Sequence, residues 1–275
     1  MKELGEGSQP KLSSTILLVR GEVETEVLMV ARSYQIDFAS GAHVFPGGKV
    51  SEDDLRPEWR DFVEGDFEGG ELAVRIGGIR EVFEESGILL ARSRSAKPGT
   101  HVSRDVCETL APHRGPIDRR EESFLELIKA EDLVLCVNEL VPYAHWITPD
   151  MMPKRFDTRF FIARAPIEQR AVHDGRETTE AVWVQPSEIL RREKSGEATL
   201  LFPTRVNLEL LEDSGPPEAA LDAARQREIV TVLPVVDKGE QGAVLKIPAE
   251  AGYRVTVEPL ETVNKAMKNT VKGSA

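Results

Sequence analysis

The chain has 275 residues, of which 40% are hydrophobic and 30% charged, a composition typical of a soluble globular protein. Its formal net charge of −12 and pI near 5.1 argue against nucleic acid or an anionic membrane as the main partner. No apolar run approaches the ~20 residues of a membrane span. Two cysteines, Cys107 and Cys136, are too few for a disulfide framework and predict free thiols.

The N-terminal half predicts strands followed by helices. Strands are expected over residues 14–19, 26–31 and 42–45, the first two joined by a polar turn, because apolar and β-branched residues fill these runs. A short helix is expected near 52–64, then a turn at 69–70 and a helix over 71–86 that Gly87 can cap. Residues 92–117 predict a loop at Pro98-Gly99 and one helix, and residues 121–130 predict another.

The sequence of the C-terminal half also predicts both strands and helices. Residues 140–147 and 156–163 are expected to form an antiparallel pair of strands, and residues 181–184 another strand. Ser187 can cap a helix that runs to about Arg192, and residues 201–211 predict a further helix. Gly215-Pro216-Pro217 interrupts the chain, and the alternating residues 225–260 indicate a β-rich tail.

Residues 80–88 read Arg-Glu-Val-Phe-Glu-Glu-Ser-Gly-Ile and contain the most informative carboxylates of the chain. Glu81, Glu84 and Glu85 stand at i, i+3 and i+4, so a helix places all three on one face. Unpaired, they repel each other. A hard divalent cation such as Mg²⁺ or Mn²⁺ reverses that cost because it prefers clustered oxygen ligands. An ordinary solvated acidic face is the alternative interpretation.

This run resembles the second half of the Nudix box, whose pattern is Gly, five residues, Glu, seven residues, then Arg-Glu-apolar-any-Glu-Glu-any-Gly-apolar. Every fixed position from Arg80 onward is met, and Gly47-Gly48-Lys49 resembles the opening of the box. Between Gly48 and Arg80 the chain carries 18 residues more than the pattern. In strict register from Arg80 the isolated Glu is replaced by Leu72, and Glu71 or Glu68 are candidates to take its place.

An expanded box of this kind is similar to that of the mammalian peroxisomal coenzyme A diphosphatases and their bacterial relatives. The approach to the box over residues 40–48, and residues 146–149 with 154–161, also resemble that branch. The resemblance implies an α/β (α+β) fold, the Nudix αβα sandwich with a mixed sheet. We expect a Nudix domain over residues 10–212, with an insertion at 49–70, and a β-rich C-terminal extension over 213–275.

The resemblance implies metal-dependent hydrolysis of a diphosphate bond, because cations neutralise the phosphates and acidify the attacking water. It implies Mg²⁺ or Mn²⁺ bound by Glu81, Glu84, Glu85 and the Gly48 carbonyl. CoA or acyl-CoA is the expected substrate, giving 3′,5′-ADP and a 4′-phosphopantetheine product; ADP-ribose, NADH or another nucleoside diphosphate derivative is the alternative. A non-catalytic ligand sensor of the same fold is the alternative from another class.

Other residues receive narrower roles. Arg80 is expected to orient the glutamates by ion pairing. Glu177 and Glu180, ahead of a late strand, are candidates for the general base, with His173 after them.

Lys49, Arg155 and Arg159 are candidates for phosphate contact, since the 3′-phosphate of CoA needs a cation beyond the metal site. Each of the three can equally be a structural or solvated side chain. A homodimer is left open. The ending, residues 272–275, differs from the Ser-Lys-Leu peroxisomal address, so we expect the cytoplasm.

Overall fold

A computed structural model describes residues 9–33, 41–152, 154–239 and 242–268. Ser40, at the start of the resemblance run, and the ending at 272–275 lie outside the described residues. None of the described helices combines the length and apolar character that a membrane crossing requires. The described strands are β1 (Lys11–Arg20), β2 (Glu26–Arg32), β3 (His43–Val44), β4 (Gly47–Lys49), β5 (Ala91–Ser93), β6 (Leu133–Leu135), β7 (Val141–Ile147), β8 (Phe156–Arg164), β9 (Thr178–Val184), β10 (Thr231–Val232), β11 (Val235–Gly239), β12 (Gly242–Lys246) and β13 (Val257–Pro259).

The described helices occur along the chain singly or in groups of three. They are α1 (Gly69–Ser86), α2 (Arg104–Leu110), α3 (Arg114–Asp118), α4 (Phe124–Ala130), α5 (Pro186–Ser195), α6 (Phe202–Asp213), α7 (Pro217–Gln226) and α8 (Leu260–Lys268). In the insertion, 3₁₀ helices at Asp53–Leu55 and Pro57–Phe62 replace the short helix expected over 52–64.

An eight-stranded mixed sheet forms the centre, in the order β10-β7-β8-β1-β2-β3, with β4 paired to β1 and β9 to β2. The central strands β1 and β8 run parallel over nine residue pairs, although about 140 residues separate them in the chain. β7 is antiparallel to β8, as the sequence predicted. β5 pairs with β6, and β11, β12 and β13 form a separate three-stranded sheet.

Each face of the central sheet is covered by helices, so the αβα sandwich that the sequence predicted is confirmed. One hydrophobic cluster joins the sheet to α1 and α4, and the other joins it to α5, α6 and α7. Trp59 of the insertion is fully buried and packs on Phe124, with ring centroids 5.6 Å apart. Burial of so large a side chain fixes the insertion to the first cluster.

Several local predictions were wrong. Residues 69–70, expected as a turn, are the first residues of α1. Residues 92–117 form two helices instead of one, because a 3₁₀ segment containing Pro112 separates α2 from α3. Gly215-Pro216-Pro217 does interrupt the chain, between α6 and α7, and Pro217 also starts α7, since proline fits the first helical position. Likewise Pro186 opens α5 with Gln185 as its cap, so Ser187 does not cap it. The tail also contains the helix α8.

Candidate active site

The site forms where β4 and α1 meet the central strand β1. β4 pairs antiparallel with β1, and α1 packs against both strands. The Ser13 hydroxyl donates to the Gly48 carbonyl at 2.6 Å, and the Gly47 amide donates to Glu85 Oε2 at 3.0 Å. These contacts hold the glycines of β4 against the carboxylates near the end of α1. The helix ends as predicted, with Gly87 in the left-handed region at φ 72°.

Gly48 lies directly against the Glu81 carboxylate. A Cβ atom placed on Gly48 would come within 2.4 Å of Glu81 Cδ and 2.5 Å of both carboxylate oxygens. No side chain fits this contact without displacing Glu81. Glycine at this position therefore lets the backbone of β4 and the acidic face of α1 share one site.

Arg80 connects the carboxylates of the site. Its Nη1 donates to Glu81 Oε1 at 3.0 Å and to Glu84 Oε1 at 2.9 Å, and its Nη2 donates to the Lys49 carbonyl at 2.7 Å. Burial opposes the charged form of Arg80, but Glu81, Asp54 and Glu84 outweigh it and raise its pKa well above the usual value. The guanidinium is permanently charged. Its ion pairs with Glu81 and Glu84 hold these glutamates in place, which is the role expected of Arg80 from the sequence.

Asp54 occupies the position for which Glu71 and Glu68 were the candidates. Both of its carboxylate oxygens accept hydrogen bonds from Arg80, and its side chain is fully buried. Glu71 pairs with Arg75 near the start of α1, and Glu68 pairs with Arg60 on the surface. The prediction was wrong because it counted back from Arg80, across the insertion.

Counting forward finds the acid directly. Five residues separate Gly48 from Asp54, which is the spacing of the box pattern, so the extra residues all follow Asp54. An Asp is one methylene shorter than the Glu of the pattern. This spacing was the signal in the sequence that could have found it.

The three helix glutamates line one large cavity and are short of positive charge. Glu84 and Glu85 are buried at 5% exposure, and Glu81 is partly buried with its side chain 13% exposed. Burial, followed by the charge of Glu81, raises the pKa of Glu84 to about 8 and raises the pKa of Glu85 well above its usual value. Burial also raises the pKa of Glu81, against the attraction of Arg80.

A divalent cation fits this donor set. The donors are carboxylate oxygens and the Gly48 carbonyl, which are the hard ligands that Mg²⁺ and Mn²⁺ prefer. Arg80 neutralises only part of the charge of Asp54 and the three glutamates. The ionised glutamates repel one another and are costly to bury, so a bound cation would stabilise their charged form.

A second set of potential ligands lies elsewhere. His101, Cys136 and Glu139 have ligand atoms within 4.8 Å of one another, but none of the three lines the main cavity. His101 Nε2 and Glu139 Oε2 already pair at 2.8 Å. Cys107 and Cys136 are both free and buried, as predicted.

Among the candidates for the general base, Glu177 alone lines the cavity. Burial, followed by the nearby Asp118, raises its pKa. The Glu177 amide donates to Asp174 Oδ2 at 2.9 Å, and the Thr178 hydroxyl donates to the Glu85 carbonyl at 3.2 Å, which ties this loop to the end of α1. Glu180 instead pairs with His43 at 3.5 Å with its side chain 53% exposed.

His173 is exposed and, like Glu180, is absent from the residues that line the cavity. The structure therefore brings together the three helix glutamates, Arg80, Gly48 and Glu177. It separates Glu180 and His173 from them.

The cationic candidates divide in the same way. Lys49 lines the cavity, but Arg155 and Arg159 do not. Arg155 donates to the Thr148 carbonyl and pairs with Asp150 at 2.5 Å, and Arg159 lies 3.8 Å from Asp157. The reason is strand alternation: Phe156, Thr158 and Phe160 of β8 face the cavity, so the odd-numbered positions face away.

Three cations of the cavity were missing from the predicted site. Arg32, Arg120 and Lys154 all line it. Arg32 lies close enough to Glu85 and Glu177 for its charge to oppose the burial that raises their pKa values. Arg32 Nε is buried without a hydrogen-bond partner among the described residues. A buried donor without a partner indicates a place for an anionic ligand group.

The cavity around these residues has a volume of about 920 Å³. Its acidic lining comes from α1, β4 and the loop before β9. The loop after β7, the start of α6 and the C-terminal extension also line it.

Comparison with known proteins agrees with this geometry. A family model described as the NUDT19 Nudix domain matches residues 64–210, more than half of the chain. The chain belongs to the NUDT19 Nudix domain family. Its membership makes it a Nudix pyrophosphohydrolase, so the sensor alternative is not supported.

Individual relatives support the family. The acyl-coenzyme A diphosphatase NUDT19 of Xenopus laevis is 26% identical, over 83% of this chain and 71% of that protein. The protein of the same name from Gallus gallus is 29% identical, over 66% of this chain and 60% of that protein. A NUDIX hydrolase structure from Alicyclobacillus acidocaldarius superposes with a TM-score of 0.65 at 25% identity, covering 78% of this chain and 96% of that one.

Proposed function

We propose that this NUDT19-family enzyme hydrolyses the diphosphate bond of CoA or acyl-CoA, releasing 3′,5′-ADP and 4′-phosphopantetheine or its acyl derivative. The observation that carries the proposal is the convergence of Glu81, Glu84 and Glu85 on Gly48 inside one large cavity. The names of the relatives from Xenopus laevis and Gallus gallus support the choice of CoA over ADP-ribose or NADH.

In this proposal Glu81, Glu84, Glu85 and the Gly48 carbonyl hold Mg²⁺ or Mn²⁺. Bound there, the cation neutralises the phosphate oxygens and acidifies water. Arg80 and Asp54 keep the glutamates in position, and Arg80 stays charged throughout. Both are positioning residues, since Arg80 donates hydrogen bonds to the glutamates and Asp54 accepts hydrogen bonds from Arg80.

Glu177 is the proposed general base. Its carboxylate takes a proton from the water whose oxygen attacks phosphorus, while the bond from that phosphorus to the bridging oxygen breaks. A raised pKa suits this role because the carboxylate then accepts a proton more readily. Arg32, Lys49, Arg120 and Lys154 are the cavity cations available to the remaining phosphate groups.

The domain division is also part of the proposal. Residues 10–212 supply every group assigned to the chemistry, and the extension over 213–275 contributes Pro234, Leu245, Leu260, Val263 and Asn264 to the cavity lining. A cytoplasmic location and a homodimer stay predictions.

The test is product release from CoA, acetyl-CoA, ADP-ribose, NADH and diadenosine polyphosphates with Mg²⁺ or Mn²⁺, using Glu85→Gln as control. Release of 3′,5′-ADP from CoA, lost in the variant, is the expected result. Turnover of ADP-ribose or NADH alone would keep the reaction and overturn the substrate. Unchanged activity of Glu85→Gln would overturn the assigned site.

A further inference from the structure

The lining of the cavity includes apolar side chains, here called the apolar wall, that the diphosphate chemistry does not use. Met151 and Met152 come from the loop after β7, Leu201 from the start of α6, and Leu245, Leu260 and Val263 from the C-terminal extension. Leu260 and Val263 lie one helical turn apart on α8, so both point from one helix face into the cavity.

The part of this wall that comes from the extension is fixed to the catalytic domain. β10 pairs in parallel with β7 at the edge of the central sheet. The Trp146 indole donates to the Tyr253 hydroxyl at 2.9 Å, and that hydroxyl donates to Asn207 Oδ1 at 2.9 Å. Arg205 of α6 pairs with Glu258 of β13 at 2.7 Å. These buried or half-buried contacts make the extension a built wall of the cavity.

The chemistry of the wall selects among ligands. Methionine, leucine and valine form most of the wall and offer no hydrogen bonds to the polar edge of a nucleobase. Asn264 of α8 and Thr204 of α6 line the cavity beside them, so polar partners on these two helices are few. A flexible hydrocarbon chain needs none, and methionine adapts to chains of different length. Met151 is 57% exposed, so an apolar ligand would also remove its side chain from water.

We propose that the extension provides the binding site for the acyl chain of an acyl-CoA, with Leu260 and Val263 of α8 as its principal contacts. The proposal rests on the proposed function, because it places the diphosphate at the glutamates and the thioester-linked chain against this apolar wall. Each methylene that enters the wall is then expected to raise kcat/KM by up to about fourfold, which corresponds to about 0.8 kcal/mol.

The test measures 3′,5′-ADP release from CoA and from acetyl-, hexanoyl- and decanoyl-CoA. In the wild-type enzyme kcat/KM is expected to rise with chain length. In the Leu260→Asn, Val263→Asn double variant, the ratio of kcat/KM for decanoyl-CoA to that for CoA is expected to fall at least about tenfold. Val257→Asn is the matched control, because Val257 lies in the same extension, is 48% exposed and does not line the cavity.

Two failures are distinguishable. Release of 3′,5′-ADP from CoA without dependence on chain length would overturn the acyl site and leave the proposed function standing. No 3′,5′-ADP from any CoA species would overturn both. Measurement of chain-length dependence in the wild-type enzyme needs no variant, so the proposal stays falsifiable if the double variant fails to fold.

Discussion

Asp54 and Arg80 are joined by two hydrogen bonds, from Nε to Oδ1 at 2.9 Å and from Nη2 to Oδ2 at 2.9 Å. Both side chains are buried, at 0% and 8% exposure, although 26 positions separate them. The insertion that follows Asp54 therefore leaves the charged support of the helix glutamates in place.

The first prediction concerns this pair. Asp54→Asn is expected to lower the free energy of unfolding by about 3 kcal/mol or more, because it leaves Arg80 buried with less compensating charge. The activity is expected to fall as the glutamates lose their anchor. Urea unfolding and steady-state kinetics measure the two effects. Glu71→Gln is the matched control, and its ion pair with Arg75 at a half-exposed carboxylate is worth at most about 1 kcal/mol. Equal losses in both variants would contradict the assignment of Asp54.

The second prediction concerns the general base. Glu177→Gln is expected to lower kcat by about 10²- to 10⁴-fold and to remove the acidic limb of the pH–rate profile. The limb arises because Glu177 must be deprotonated to accept a proton, and its pKa is raised by burial and by Asp118. Glu180→Gln, three positions along the chain, is expected to change kcat by less than about threefold. The reverse order of effects would exchange the two roles.

The third prediction links stability to pH and cation. Burial raises the pKa of Glu84 to about 8 and also raises those of Glu81 and Glu85. Between pH 4.5 and about 8 the folded, cation-free protein thus binds more protons than the unfolded chain, so its stability falls as pH rises through this window. Added Mn²⁺ stabilises the ionised glutamates, and protons compete with Mn²⁺ for the same carboxylate oxygens.

We expect a fixed Mn²⁺ concentration, about 100 times the Kd at pH 8, to raise Tm by about 5 °C at pH 8 and by much less at pH 5.5, where protons raise the Kd. Thermal unfolding at both pH values, with Mn²⁺ or with EDTA, measures this difference. A gain in Tm that is independent of pH would show that the raised pKa values do not govern binding of the cation.

The fourth prediction compares two glycines. Gly48→Ala is expected to lower kcat at least about tenfold, because the new methyl group displaces the Glu81 carboxylate from within 2.5 Å. Gly70→Ala is the matched control: nothing lies within 4 Å of its added Cβ, and alanine favours the first turn of α1 by up to about 1 kcal/mol. Kinetics and Tm of both variants are the measurement, and full activity of Gly48→Ala would exclude the close contact.

The sequence predicted the acidic face of α1, its glycine cap and most strands of the central sheet, β4 and β10 excepted, because each depends on residues close together in the chain. Asp54 was missed because its partner lies beyond the insertion. Arg155 and Arg159 were assigned to the substrate by charge alone. Which side of β8 faces the cavity follows from its pairing with β1 and β7, which no local pattern of residues 155–159 contains.

The helices of the extension were missed for a related reason. Pro216-Pro217 fits either the end of a helix or the start of one, and the packing of Ala220 and Leu221 against the second cluster decides for α7. The apolar residues of α8 are few, and their proposed role depends on a cavity whose lining outside the extension lies more than 50 positions away in the chain.

The pairing of β10 with β7 has a consequence for handling the protein. β7 would otherwise be the edge strand on that side of the central sheet, with a row of backbone N–H and C=O groups open to any other extended chain. The two residues of β10, with α7 leading to them, cover part of this row. A chain shortened to residues 10–212 would keep every group assigned to the chemistry. It would also leave backbone N–H and C=O groups of β7 unpaired at the sheet edge, so we expect it to aggregate.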